Sequence, residues 1–255
     1  MSEGFPAAGE LSEDGFLGGR IRVLQPKRGF RAAIDSVLLP AAIEARNGPN
    51  ILDAGTGVGV AALCLLARDS RFRVTGIERE ADDLAALATE NARRNNLALD
   101  IQCADLFAWH APMPFDQVMT NPPYFEADEG TQSPIHGKAR AHVGPGIAAW
   151  LDACLACLKP GGMLTLIHRA EREADILAAL EGKAGDIEIL PLIPRAGETP
   201  KRILLRARKG SVGPVRRCPG FVLHGDATKY TEQAEAVLRH AESLVWADDK
   251  PALAP

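Results

Sequence analysis

Between residues 51 and 207 the chain alternates short apolar runs with longer segments whose apolar residues recur every three or four positions. Short runs bounded by glycine or proline read as buried strands, and the three-and-four spacing reads as amphipathic helix. Strands are predicted over 51–54, 73–77, 101–104, 115–120, 163–168, 187–190 and 202–207. Helices are predicted over 60–68, 81–95, 146–158 and 171–181. In 81–95 the spacing is carried by Leu84, Leu87 and Ala88, and Asn95-Asn96 closes it; Lys159-Pro-Gly-Gly162 stops the helix that starts at 146. Strands that alternate with helices demand a mostly parallel sheet with helices on both faces, so the expected fold is α/β and doubly wound.

The flanks are less regular. Residues 1–19 are small, acidic and Gly-rich and read as a flexible terminus. Residues 20–24 alternate like a strand, 25–31 form a basic turn, and 34–45 have helical spacing with Asp35 or Ser36 placed to cap them. From 210 the chain is polar and turn-rich, with a helix near 231–245. The expected organisation is a flexible N-terminus over 1–19, one domain with an N-terminal cap segment over 20–210, a C-terminal extension over 211–245 and a disordered tail over 246–255. A length of 255 residues, at roughly 150 per domain, agrees with one large domain carrying attachments.

Composition narrows the function. Hydrophobic residues make up 46% and charged residues 24%, which excludes wholesale disorder. The net charge of −4 excludes a protein that coats nucleic acid over its whole surface, but not one with a local basic face. The longest apolar stretch, 57–67, is 11 residues, where a membrane span needs about 20. Glu3, Glu10, Glu13 and Asp14 crowd a start without a long apolar core, so no secretory signal is expected. Five sparse cysteines (Cys64, Cys103, Cys154, Cys157, Cys218) point to reduced thiols and a cytoplasmic protein. Cys154 and Cys157 are spaced C-x-x-C, but zinc needs four ligands and no second pair matches, so buried thiols and no metal are expected.

Asp53-Ala-Gly55-Thr-Gly57-Val-Gly59 sits at a predicted strand-to-helix turn, the place where doubly wound sheets bind ligands. A dinucleotide fingerprint would need glycine at 60, which is Val60. The pattern resembles the first motif of class I S-adenosylmethionine-dependent methyltransferases, which implies that cofactor. On this reading Gly55, Thr56 and Gly57 let the backbone approach it, and Asp53 helps hold its ammonium directly or through water. Glu78, 25 residues after Asp53 at a strand end, can accept from both ribose hydroxyls, a role that NAD binders share. Asp105 follows the third strand and is read as accepting from the adenine amino group; the plainer alternative is a helix cap or surface acid.

Asn121-Pro-Pro-Tyr124 follows the fourth strand, and its chemistry suits methylation of a planar amino nitrogen. Such a nitrogen is a poor nucleophile because its lone pair is delocalised. Acceptors aimed at both of its N–H groups favour pyramidal geometry, and the Asn121 side-chain oxygen and Pro122 carbonyl are two such acceptors. Pro122 and Pro123 have fixed φ and no N–H, which holds that carbonyl without a competing donor. Tyr124 offers a ring for a base to stack on. The alternative is a tight Pro-Pro turn.

This tetrad with the glycine motif resembles amino-group methyltransferases acting on adenine N6 or on the glutamine amide of release factors. Further segments resemble one branch, the bacterial tRNA(Val) adenine-N6-methyltransferase family. These are Gln25-Pro-Lys-Arg-Gly-Phe-Arg31 with Ile34-Asp-Ser-Val-Leu-Leu39, Asn121-Pro-Pro-Tyr-Phe125, Ala139-Arg-Ala-His142, Lys159-Pro-Gly-Gly162, Ile167-His-Arg169 and Tyr230-Thr-Glu232. The resemblance spans roughly 18–240 in order. It implies a Rossmann-like domain with a mixed, mostly parallel seven-stranded sheet, and modification of the adenine on the 3′ side of the anticodon. Where the family commonly has an acid after its histidine this chain has Val143, so Arg140 and His142 are read only as a substrate loop.

Two basic segments suit a tRNA or other structured RNA as partner. Residues 20–31 hold five basic residues and no acid, and 195–217 hold eight against Glu198. Lys27, Arg28, Arg31, Lys201 and Arg202 are the candidate phosphate contacts, the alternative being solvated strand faces. Three other functions stay open. A release-factor glutamine-N5 methyltransferase would usually carry a helical domain ahead of the glycine motif, and only 52 residues precede Asp53. A guanine-N2 ribosomal RNA methyltransferase would tend to show N-P-P-F. A catalytically idle RNA-binding module would not need Asp53, Glu78, Asp105 and Asn121 together. The sequence leaves the oligomeric state undefined.

Overall fold

The computed structural model describes residues 8–28, 31–80, 84–123 and 146–246. Inside its main sheet lies β3 (Asn50–Ala54), whose last four residues are buried. It is flanked by β4 (Arg73–Glu78) and β6 (Phe115–Thr120), both parallel to it. Outward lie β5 (Leu99–Cys103) on one side, and on the other β7 (Leu158–Arg169), β9 (Arg202–Lys209) and β8 (Ala184–Ile193). Only β9 runs antiparallel to its neighbours, so these seven strands form the mixed, mostly parallel sheet that the sequence implies. Two short strands, β10 (Val215–Arg217) and β11 (Phe221–Val222), extend it to nine by pairing in parallel with β8. The chain leaves β3 first toward β4 and later returns to β6 on its other side. The crevice at the carboxyl ends of β3 and β6 is therefore the topological switch point.

Helices α1 (Asp35–Ala41), α2 (Val60–Arg68), α3 (Ala86–Arg94) and α6 (Glu232–His240) share one apolar core, and α4 (Gly146–Ala156) and α5 (Glu173–Leu180) share the other. The α2 bounds coincide with the predicted helix, because Gly59, with φ of 87°, sets its start. Helix α1 ends at Ala41, and neither Asp35 nor Ser36 caps it: its N-cap is Ile34, without a side-chain bond. Thr231 caps α6, its Oγ1 accepting from the Ala234 N–H at 3.1 Å. Lys159-Pro-Gly-Gly162 follows the end of α4, yet it lies inside β7. Between Phe115↔Leu158 and Gln117↔Met163 the register jumps, so these residues form a bulge.

The flanks differ from the sequence expectation. Leu11–Phe16, placed in a flexible terminus, forms β1 and pairs antiparallel with β2 (Ile21–Pro26). Leu17 in the connection is fully buried. In the C-terminal extension β10 and β11 join the sheet and α6 joins a core, and Trp246, assigned to the tail, is fully buried. Among the described residues no helix is long and apolar enough to cross a membrane.

Candidate functional site

The β3 strand ends at Ala54, and the chain turns through Gly55, Gly57 and Gly59 at φ of 75°, 57° and 87°, conformations that cost L side chains strain. The N–H groups of Gly55 and Thr56 donate to Ile77 O at 3.0 and 2.9 Å, which anchors the turn to β4. A Cβ on Gly57 would meet nothing within 4 Å, so the loop faces open space there. A pocket at this point is lined by Asp53, Gly55, Thr56, Gly57, Val58, Val60 and Ala61. Ala32, Ser36 and Leu39 of the cap segment, Leu84 and Asn121 complete the wall.

Asp53 is 2% exposed. Burial pushes its carboxyl up to about 6; the Thr56 hydroxyl and the Ala62 backbone oppose the shift, and the charge of Glu78 adds to it. Thr56 Oγ1 donates to Asp53 Oδ2 at 2.7 Å. Glu78, at the end of β4, accepts from Gly57 N–H at 3.0 Å, from Arg79 N–H at 2.8 Å and from Glu80 N–H at 3.1 Å. These bonds hold its carboxylate beside the glycine turn. Asp105 lies on the loop after β5, where Oδ1 accepts from Phe107 N–H at 3.1 Å. That bond closes the turn over 105–108; no helix begins there for Asp105 to cap.

Asn121, half-buried, directly follows β6 and reaches the pocket wall that Asp53 also lines. Pro122 is buried and Pro123 half-buried. Thr120, the residue before them, donates its hydroxyl to Ala54 O at 2.9 Å and accepts from Trp150 Nε1 at 3.0 Å. Tyr124, Arg140 and His142 lie outside the described residues. The structure thus brings Asp53, Gly55, Thr56, Gly57 and Asn121 to one pocket, with Glu78 against its rim. Sequence reasoning missed Ser36, Leu39 and Leu84 in the wall. The resemblance pointed to 34–39 without giving it a role, and the helical spacing of Leu84 said only that it was apolar.

The basic residues are less available than their count suggests. Arg31 donates to Asp14 Oδ2 at 2.6 Å, Arg202 to Asp35 Oδ2 at 3.2 Å and Arg216 to Glu188 Oε1 at 3.1 Å, and Arg217 pairs with Glu173. Arg206 is 4% exposed, paired with Glu44 at 2.5 Å and with Glu188, under the Trp246 ring. Acids from outside each segment supply this compensation, which a count along the chain does not show. Lys27, Arg28 and Lys201 remain exposed. Burial raises the thiols of Cys64, to about 12, and of Cys154 and Cys157, which keeps all three protonated.

A family model described as the methyltransferase small domain matches residues 31–190. A tRNA1(Val) (adenine(37)-N6)-methyltransferase of Glaesserella parasuis is 31% identical over 175 residues, covering 67% of this chain and 73% of that protein. The protein of the same name from Dickeya chrysanthemi is 26% identical over 239 residues, covering 90% of this chain and 94% of that one. A solved structure of a predicted O-methyltransferase from Agrobacterium tumefaciens superposes with a TM-score of 0.67 at 25% identity, covering 83% and 98% of the two chains. A Thermus thermophilus 16S rRNA N2 G1207 methyltransferase, solved with AdoMet and guanosine, has the same fold. Its TM-score is 0.54 at 21% identity, covering 78% of this chain and 50% of that one.

Proposed function

The chain belongs to the methyltransferase small-domain family, and within it to the bacterial tRNA1(Val) adenine-N6-methyltransferases; from that premise we propose that it methylates N6 of an adenine next to the anticodon of a tRNA, in the cytoplasm. It is an S-adenosylmethionine-dependent methyltransferase. The pocket residues fit that cofactor: an open face at Gly57, a buried carboxylate at Asp53 for an ammonium, and the Glu78 carboxylate at the rim for ribose hydroxyls. When bound, S-adenosylmethionine supplies a methyl group on a sulfonium and departs as the neutral thioether.

The observation that carries the proposal is the placement of Asn121 in the wall of the pocket that Asp53 and the glycine turn also line. On this reading Asn121 Oδ1 accepts one N–H of the adenine amine and the Pro122 carbonyl accepts the other, which turns the nitrogen lone pair toward the methyl group. The nitrogen becomes acidic as its new bond forms, so a proton leaves it without a strong base. The pocket's own contribution is alignment, which can supply about 7–11 kcal/mol of a barrier. Tyr124 stacks on the base, Asp105 borders the cofactor's adenine, and Arg140 and His142 belong to the substrate loop. Lys27, Arg28 and Lys201 contact phosphates, whereas Arg31 and Arg202 shape the cap segment through Asp14 and Asp35. An anticodon-loop adenine is already unpaired, so little energy is spent in reaching it.

The test is transfer of tritiated methyl from S-adenosylmethionine to total tRNA, total rRNA and a release factor in parallel, followed by nucleoside analysis. Label in N6-methyladenosine from tRNA is the expected result. Label in N2-methylguanosine, in a ribose or in a glutamine amide would overturn the proposal.

A further inference from the structure

The parallel pairing of β3 with β6 ends at Ala54↔Thr120. Beyond it the glycine turn and Asn121 leave the sheet separately, so their relative position depends on what ties those two ends. One side chain of α4 does so. Trp150, 9% exposed, donates Nε1–H to Thr120 Oγ1 at 3.0 Å, and Thr120 Oγ1 donates to Ala54 O at 2.9 Å. A buried hydroxyl that donates once and accepts once in this way has a fixed direction. The far edge of the same indole lies 3.2 Å from where a Cβ on Gly55 would stand. Its ring meets Phe107 edge-on, with centroids 5.8 Å apart at 78°, and the Phe107 N–H donates to Asp105. One tryptophan therefore touches the three loops that bear Gly55, Asp105 and Asn121.

The geometry points to Trp150, acting through Thr120, as a positioning residue that sets Asn121 against the glycine turn for methyl transfer. This rests on the amino-group reading above. In this role Trp150 acts by removing freedom at the residue before Asn121. Displacement of a reacting group by about 1 Å costs about 100-fold in rate, while the cofactor's contacts with Asp53 and Glu78 do not pass through this relay.

The experiment measures methyl transfer to tRNA by wild type, Thr120→Val, Thr120→Ser, Trp150→Phe, the Thr120→Val/Trp150→Phe pair and Asn121→Ala, each with its melting curve. Thr120→Val and Trp150→Phe are expected to lower kcat about 10- to 100-fold while KM for S-adenosylmethionine stays within about threefold. Thr120→Ser restores most of the rate. The double variant is no slower than the slower single one, because both changes break the Trp150–Thr120 link on which the relay depends. A purely structural tryptophan would lower the melting temperature and leave kcat of the folded enzyme in place. Thr120→Val within about threefold of wild type, losses that multiply in the pair, or a change in KM alone each overturn the relay. If Asn121→Ala is inactive while Thr120→Val is normal, the relay falls and the amino-group reading stands. If Asn121→Ala keeps its turnover, that reading falls and takes the relay with it.

Discussion

Asp53 combines burial, a carboxyl raised to about 6 and a position in the pocket wall, and this gives cofactor binding a pH dependence. Burial disfavours its ionised form, so its own contribution to stability is complete below the unfolded value near 3.8 and is lost as pH rises through about 6. A bound ammonium favours the ionised form, so below pH 6 binding must first expel a proton. Calorimetry should show S-adenosylmethionine affinity level from pH 6.5 to 7 and about tenfold weaker at pH 5. Asp53→Asn should bind weakly and without that slope; a flat wild-type profile would remove the ammonium contact. Asn121→Ala should abolish transfer while cofactor affinity stays within a few fold, and retained turnover would contradict the proposed acceptor role. The glycines, Asp53, Glu78 and Asn121 were legible because each has a fixed offset from a strand end. Trp150 was not, because its partners at 55, 107 and 120 are joined only by the fold.

At the scale of elements, periodicity found the alternating strands and helices and placed α2 at its observed bounds. It missed β1, where Leu11-Ser-Glu-Asp-Gly-Phe16 has too few apolar residues to signal a strand and the pairing depends on β2. It missed β10, whose three residues are all exposed. The buried Arg206 links β8 and β9 to the segment after α1. Its guanidinium joins Glu188 on β8 to Glu44 after α1 and packs on Trp246. Removing Arg206 strips the mostly buried Glu188 and Glu44 of their buried partner and leaves each with only an exposed one, Arg216 and Arg46. Arg206→Ala should therefore cost about 3–5 kcal/mol in urea unfolding at pH 7, far more than loss of an exposed pair such as Arg71–Asp69. A cost below about 1 kcal/mol would show that the cluster does not anchor these elements.

Over the whole molecule, the observed pairing shrinks the basic surface that the charge count along the chain suggested. With three exposed candidates, Lys27, Arg28 and Lys201, the plot of log binding constant against log salt for RNA should slope by about −2 to −3. Lys201→Ala should make it shallower by about one and weaken different RNAs alike. A slope near that expected for eight contacts would show that basic residues beyond these three, such as Arg195 or an Arg31 released from Asp14, also bind phosphate. The central claim is tested most directly by a crystal structure of the protein with S-adenosylhomocysteine and an anticodon stem-loop. The adenine amine should lie within hydrogen-bond reach of both Asn121 Oδ1 and the Pro122 carbonyl, facing the thioether sulfur beside the glycine turn. A ribose hydroxyl, a ring nitrogen or no nucleotide in that position would contradict it.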